Sequence, residues 1–153
     1  RWRPTAPTPS APRCARSRSR TQWGLPAALE LLNDRTQFRC TALHAFANRT
    51  VRPLCVFDRF REDRAYVRSA FLLEALCRLT AENGEFVCDD CRIDHRLLTF
   101  GAPIVSYFGM ALGPQGGPTV AILCHFDVEQ RALKPCELAF LRAVAPLLLE
   151  HLD

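Results

Sequence analysis

No stretch of eighteen apolar residues occurs in the 153-residue sequence, and its longest apolar segments are broken by Arg, Glu or His every few positions. A membrane-spanning helix is therefore not expected. A secretory signal pattern is also missing, which bears on the eight cysteines at 14, 40, 55, 77, 88, 91, 124 and 136. A disulfide scaffold would put them in a small, loop-rich secreted chain. Here 48% of the residues are hydrophobic, enough for one sizeable core. Cys40, Cys55, Cys77 and Cys124 lie inside apolar runs, where a free thiol acts as a small hydrophobe. A reducing, cytoplasmic setting is the expectation. Acids are absent from the first twenty residues, RWRPTAPTPSAPRCARSRSR, which hold six Arg. This Pro- and Ser-rich stretch has no periodicity, so residues 1–22 read as a disordered tail ahead of one domain, 23–153. Without those six Arg the formal charge falls from +4 to −2, and the body has no basic footprint for nucleic acid. Methionine occurs once, as Met110, and the chain opens on Arg, so an excised or processed piece with an output domain elsewhere is expected.

The body alternates hairpins with helices. GLPAALELLND, 24–34, has helical spacing, while QFRCTALHAF, 37–46, alternates and pairs through the turn NRT with VRPLCVFD, 51–58. Pro53 puts that second strand at or near an edge. YVRSAFLLEALCRLTAENG, 66–84, predicts a helix stopped by Asn83-Gly84. EFVC, 85–88, predicts a short strand and IDHRLLTFG, 93–101, a short helix. PIVSYFGMAL, 103–112, and PTVAILCHFD, 118–127, form a second hairpin around GPQGG. KPCELAFLRAVAPLLLEHL, 134–152, predicts a closing helix that Pro146 should kink. Repeated βαβ units are lacking, so the expected class is α+β, an antiparallel sheet covered by helices.

This order, with ALELLNDRTQFRCTALHAFANRTVRPLCVFDR and VSYFGMALGPQGGPTVAILCHFD, resembles a GAF domain of bacterial sensory proteins over about residues 25–152. The resemblance implies a GAF/PAS-like antiparallel sheet of five or six strands with helices on both faces. It implies a small-molecule cavity between the sheet and the middle helices, dimerisation through terminal helices, and a signal passed to an output domain. Phe108 stands where such domains often carry Cys, Ala121-Ile122 replaces a common Gly-Thr, and Met110-Ala111 replaces a small residue followed by Pro. Candidate ligand-binding residues are Phe57, Phe71, Cys88, Asp90, Asp94, His95, Tyr107 and His125. No catalytic residue, metal or cofactor is expected.

Other readings are open to the residues. CDDC, 88–91, could form a redox pair, and with Cys77 and His95 a Cys3His zinc set can be drawn. A second CxxC is missing, however, and Asp89 and Asp90 disfavour a thiolate. A thiol enzyme resembling free methionine sulfoxide reductases would use Cys88 and Cys91, with Cys124 conceivable beside them; a chromophore cysteine at Cys77 lacks a following His. A ligand-free dimerisation module is the third alternative. His44 alternates with Phe38 and Phe46 and reads as a half-buried core histidine. AILCHFD, 121–127, sets a thiol beside an imidazole, but strand alternation sends Cys124 and His125 to opposite faces, so they cannot pair.

Overall fold

Both sides of the sheet are covered, and this explains why its central strands are apolar at nearly every position. The computed structural model describes residues 24–61, 70–98 and 104–152. Its strands are β1 (Cys40–Ala47), β2 (Thr50–Asp58), β3 (Glu85–Cys88), β4 (Ser106–Leu112) and β5 (Ala121–Asp127), in the order β2-β1-β5-β4-β3, every pair antiparallel. All seven residues of β5 are buried, and all of β4 but Ala111. The helices are α1 (Leu25–Asp34), α2 (Ala70–Asn83) and α3 (Pro135–Val144), the last continuing as a 3-10 helix over Ala145–His151. Leu72, Leu73 and Leu76 of α2 pack on one sheet face with Cys40, Ala42, Tyr107, Cys124 and Phe126. Leu29 and Leu32 of α1, Leu141 of α3 and Leu148 pack on the other with Leu43, Phe108, Met110 and Leu123.

Local chemistry sets the details. Asn48 and Arg49 both have positive φ, 51° and 61°, and join Ala47 to its partner Thr50 as a two-residue turn of the type I′ kind. Leu43 pairs with Cys55 but His44 with Pro53, so Leu54 is an extra residue that bulges the edge strand beside its proline. At its other end α2 gives way to β3 through Gly84, at φ 78°.

Three expectations need correction. Residues 91–97 are successive turns rather than a helix. Asp90 and Asp94 accept the backbone N–H of Arg92 and Arg96, each at 3.0 Å, and these local bonds compete with helical ones. The closing helix is α-helical only to Val144, because Pro146 has no N–H for the Arg142 carbonyl. The strands expected from residues 37 and 118 begin at Cys40 and Ala121. The expected tail, the first residues of the second helix, and residues 99–103 lie outside the described residues.

The closing helix is clipped at both ends. Arg35, just past α1, makes two 2.9 Å bonds to the Glu137 carboxylate and lies 3.7 Å above the Phe140 ring. Arg142 makes bonds of 2.7 and 2.8 Å to Glu85 of β3, and its guanidinium holds that carboxyl below its usual range.

Candidate functional site

The α2-covered face carries a polar group inside an otherwise apolar core. β1 contributes His44, β5 contributes Cys124, β4 contributes Tyr107, and α2 contributes Cys77 and Thr80, which are neighbours at i, i+3 on one helix face. His44 Nδ1 lies 4.0 Å from Cys77 Sγ and 3.9 Å from Cys124 Sγ. The Tyr107 hydroxyl lies 2.9 Å from Thr80 Oγ1 and donates to Cys77 Sγ at 3.9 Å. None of the five is more than 1% exposed. Gly109 makes room for this group: a Cβ there would stand 2.3 Å from both Thr80 Oγ1 and the Tyr107 hydroxyl oxygen. That is why a glycine interrupts SYFGMAL, a strand otherwise suited to larger side chains.

Of the two thiols, Cys77 ionises first. Hydrogen bonding with Cys124 pulls it down, against burial, with further help from His44 and Tyr107. Burial pushes Cys124 well up, and a charged Cys77 would push it further. Burial likewise keeps the Tyr107 phenol protonated.

The CDDC segment behaves differently. Cys88 and Cys91 are buried, and burial raises both thiols, with Asp94 adding to the effect. Cys88 Sγ lies 3.8 Å from Asp94 Oδ2. The acids themselves are engaged: Asp90 with Arg92 and Asp94 with Arg96, whose guanidinium holds Asp94 down at about 2. These thiols are poor nucleophiles as they stand.

On the terminal-helix face, β5 presents His125. Its Nδ1 is 2.7 Å from Thr41 Oγ1, which also accepts from Asn33 Nδ2 at 2.9 Å. Asn33 sits in α1 and donates on to the Phe38 carbonyl, while its own Oδ1 accepts from Arg59. The imidazole stacks near Phe38 and Phe108, at ring separations of 5.6 and 6.4 Å. Burial drives its pKa down to about 4, so it is neutral at physiological pH. Asp127 closes the strand: its carboxylate accepts the Arg39 and Glu129 backbone N–H groups and pairs with Arg131.

No protein-family model matches the sequence, and no curated protein is detectably similar to it. Solved structures are similar. The GAF domain region of a putative membrane protein from Geobacter sulfurreducens PCA matches 83% of this chain and 89% of its own, with TM-score 0.63 and 14% identity. The type II free methionine-R-sulfoxide reductase of Thermoplasma acidophilum gives 83%, 88%, 0.64 and 13% in the same order. GAF3 of a Synechocystis sp. PCC6803 protein, in its photoproduct state, gives 83%, 96%, 0.57 and 12%. The chain has the GAF-domain fold.

On this GAF sheet the expected ligand residues do not share one face. Cys88 and Tyr107 belong to the α2-side core, with Asp90, Asp94 and the exposed His95 in the turns that follow β3. His125 and Phe57 pack on the terminal-helix side, away from any cavity beneath α2. Phe71 is 80% exposed, on the side of α2 opposite its buried stripe. Two cavities found among the described residues are bordered by residues of the closing helical segment. One, of about 460 Å³, is an open cleft along Gly84, Glu85, Met110, Arg142 and Pro146. The other, of about 100 Å³, lies beside Phe38, Tyr107, Phe108 and Leu138.

The GAF residues that do converge are His44, Cys77 and Cys124, a set that the sequence reading did not assemble. Each was visible singly, as a core histidine, a helix thiol and a strand thiol. Their meeting depends on the pairing of Ala42 with Cys124 and on the docking of α2, neither of which follows from spacing along the chain. The Cys77, Cys88, Cys91 and His95 set drawn from the sequence is not the group that comes together.

Proposed function

We propose that this GAF-fold chain is a small-molecule-sensing regulatory domain of bacterial signal transduction and not an enzyme. A ligand enters on the α2 side at the polar rim of Asp90, Asp94 and His95, above the buried Tyr107 and Cys88. Its binding energy biases the position of the sheet, and the terminal helices carry that bias to an output domain, because a ligand favours whichever state it binds better. The observation that supports this is the division of β5 between the two faces. Cys124 belongs to the α2-side group, while its neighbour His125 is bonded through Thr41 to Asn33 of α1. A shift of β5 on one side is thus felt by α1 on the other. Leu31 and Leu147, 68% and 60% exposed on the terminal helices, suit association with a second copy. A cytoplasmic location accords with the free state of the seven described cysteines.

The rival reading is a thiol enzyme or redox sensor at Cys88 and Cys91, favoured by the reductase among the structural neighbours. The raised thiols at both positions weigh against it. Native mass spectrometry of freshly purified protein, followed by thermal-shift screening across nucleotides, amino acids and aromatic acids, separates the two. A bound small molecule whose mass shift vanishes in Asp94→Ala supports sensing. Turnover of free methionine sulfoxide that is abolished in Cys88→Ser, with no ligand found, sinks it.

A further inference from the structure

His44, Cys77 and Cys124 each offer one ligand atom, and these atoms all lie within 4.8 Å of one another, fully buried. Ligands on a tetrahedral zinc ion, at about 2.3 Å for sulfur and about 2.0 Å for nitrogen, stand about 3.5 Å apart for a nitrogen–sulfur pair and about 3.8 Å for a sulfur pair. The nitrogen–sulfur separations here, 4.0 and 3.9 Å, are within half an ångström of that edge. The three come from three different elements, β1, α2 and β5, so their convergence is a product of tertiary packing and not of local sequence. Around them are Leu72, Leu73, Leu76 and Tyr107, a dry wall of the kind that strengthens metal–thiolate bonding.

We propose that His44, Cys77 and Cys124 are protein ligands of a zinc-class metal ion held between the sheet and α2. Two thiolates and one imidazole form a donor set that selects zinc over the oxygen-seeking calcium and magnesium. Tyr107 donates to the Cys77 sulfur and is itself steadied by Thr80 and by the space at Gly109. Such an outer hydrogen bond fixes the orientation of a metal-bound thiolate. Binding costs each remaining thiol proton, which leaves to solvent, and no electron transfer is involved. The proposal stands apart from the sensory reading: a chain that binds the metal and no organic molecule satisfies the first and defeats the second.

Because the site is closed, the metal is supplied during refolding. The full chain is unfolded in urea with reductant and refolded with Co²⁺ alone. One equivalent per chain is expected, with an intense thiolate-to-cobalt band in the near ultraviolet and the visible bands of a tetrahedral ion, both displaced by Zn²⁺. Cys77→Ser, Cys124→Ser and His44→Ala should each remove at least nine-tenths of the near-ultraviolet band, whereas the double variant Cys88→Ser/Cys91→Ser should keep it. X-ray absorption of the unmodified zinc-loaded chain, which needs no variant to fold, should give two sulfur ligands near 2.3 Å and at least one nitrogen near 2.0 Å. A band that survives loss of Cys77 and Cys124, one that vanishes with Cys88 and Cys91, the absence of any band in the unmodified chain, or a Cys77–Cys124 disulfide in fully metal-treated protein overturns the proposal.

Discussion

Lowering the pH tests the burial of His125. An imidazole that titrates near 6.5 when exposed and at about 4 in the folded protein binds its proton more readily in the unfolded chain. The unfolded state therefore gains protons first as the pH falls. The stabilising contribution is fully present above about pH 6.5, shrinks as pH drops toward 4, and is spent below that. The gap is about 2.5 units, each worth about 1.4 kcal/mol, which sets a ceiling of about 3.5 kcal/mol, with roughly 2.5 kcal/mol of it lost by pH 4.5. The cause is geometric: Phe38 and Phe108 flank the ring, Nδ1 is taken by Thr41, and Nε2 has no hydrogen-bond partner among the described residues. Urea unfolding midpoints measured from pH 7.5 to 4.5 on the unaltered chain and on His125→Gln isolate the effect, since carboxylates titrate alike in both. With a urea slope of about 2 kcal/mol/M, the unaltered chain should lose about 1 M more of its midpoint than the variant over that range. Equal acid losses in the two proteins, or an imidazole resonance titrating near 6.5 in the folded state, would refute the reasoning.

Gly109→Ala drives a methyl group against Thr80 and Tyr107 and should cost about 2–4 kcal/mol, from overpacking and the strained hydroxyl pair, read as a lower urea midpoint at unchanged slope. Adding Tyr107→Phe to it should recover part of that loss, because one of the two 2.3 Å contacts disappears; full additivity of the two changes would count against the packing account. Arg35→Ala removes a two-point ion pair and a stacked guanidinium and should lower stability by about 1 kcal/mol at low salt, a loss that shrinks as salt is added. In thiol titration of the folded chain, the exposed Cys136 should react within the fast phase while Cys88 and Cys91 wait on unfolding, and a fast reaction at either of the latter would contradict their burial.

Periodicity made most of the sheet legible: Leu43 and Phe108 on one side, Ala42 and Tyr107 on the other, follow from counting by twos, while the bulge at Leu54 sets it and Cys55 on the same side. The same parity sends Cys124 and His125 to opposite faces. What parity does not supply is register and docking, so neither the bond of His125 to Thr41 nor the meeting of His44 with Cys77 and Cys124 follows from spacing along the chain. The helix expected over 93–101 failed for a different reason. Its apolar spacing competes with two aspartates that bind the chain two residues on, and the short-range bonds win. The kink at Pro146 was readable because the missing N–H is a property of one residue type, independent of what packs around it.

The two outer strands make this sheet a poor template for its own kind. β2 carries a proline with no hydrogen to donate and a bulge beside it, while β3 runs for only four residues before the chain turns away. Growth by strand addition, which turns many open sheets into aggregates, is thereby discouraged at either margin. A contact between copies, were one to form, would fall to side chains on the helices, where single substitutions can tune affinity without disturbing the hydrogen-bonded frame. An association surface on this fold could thus diverge between relatives while the sheet beneath it stayed the same.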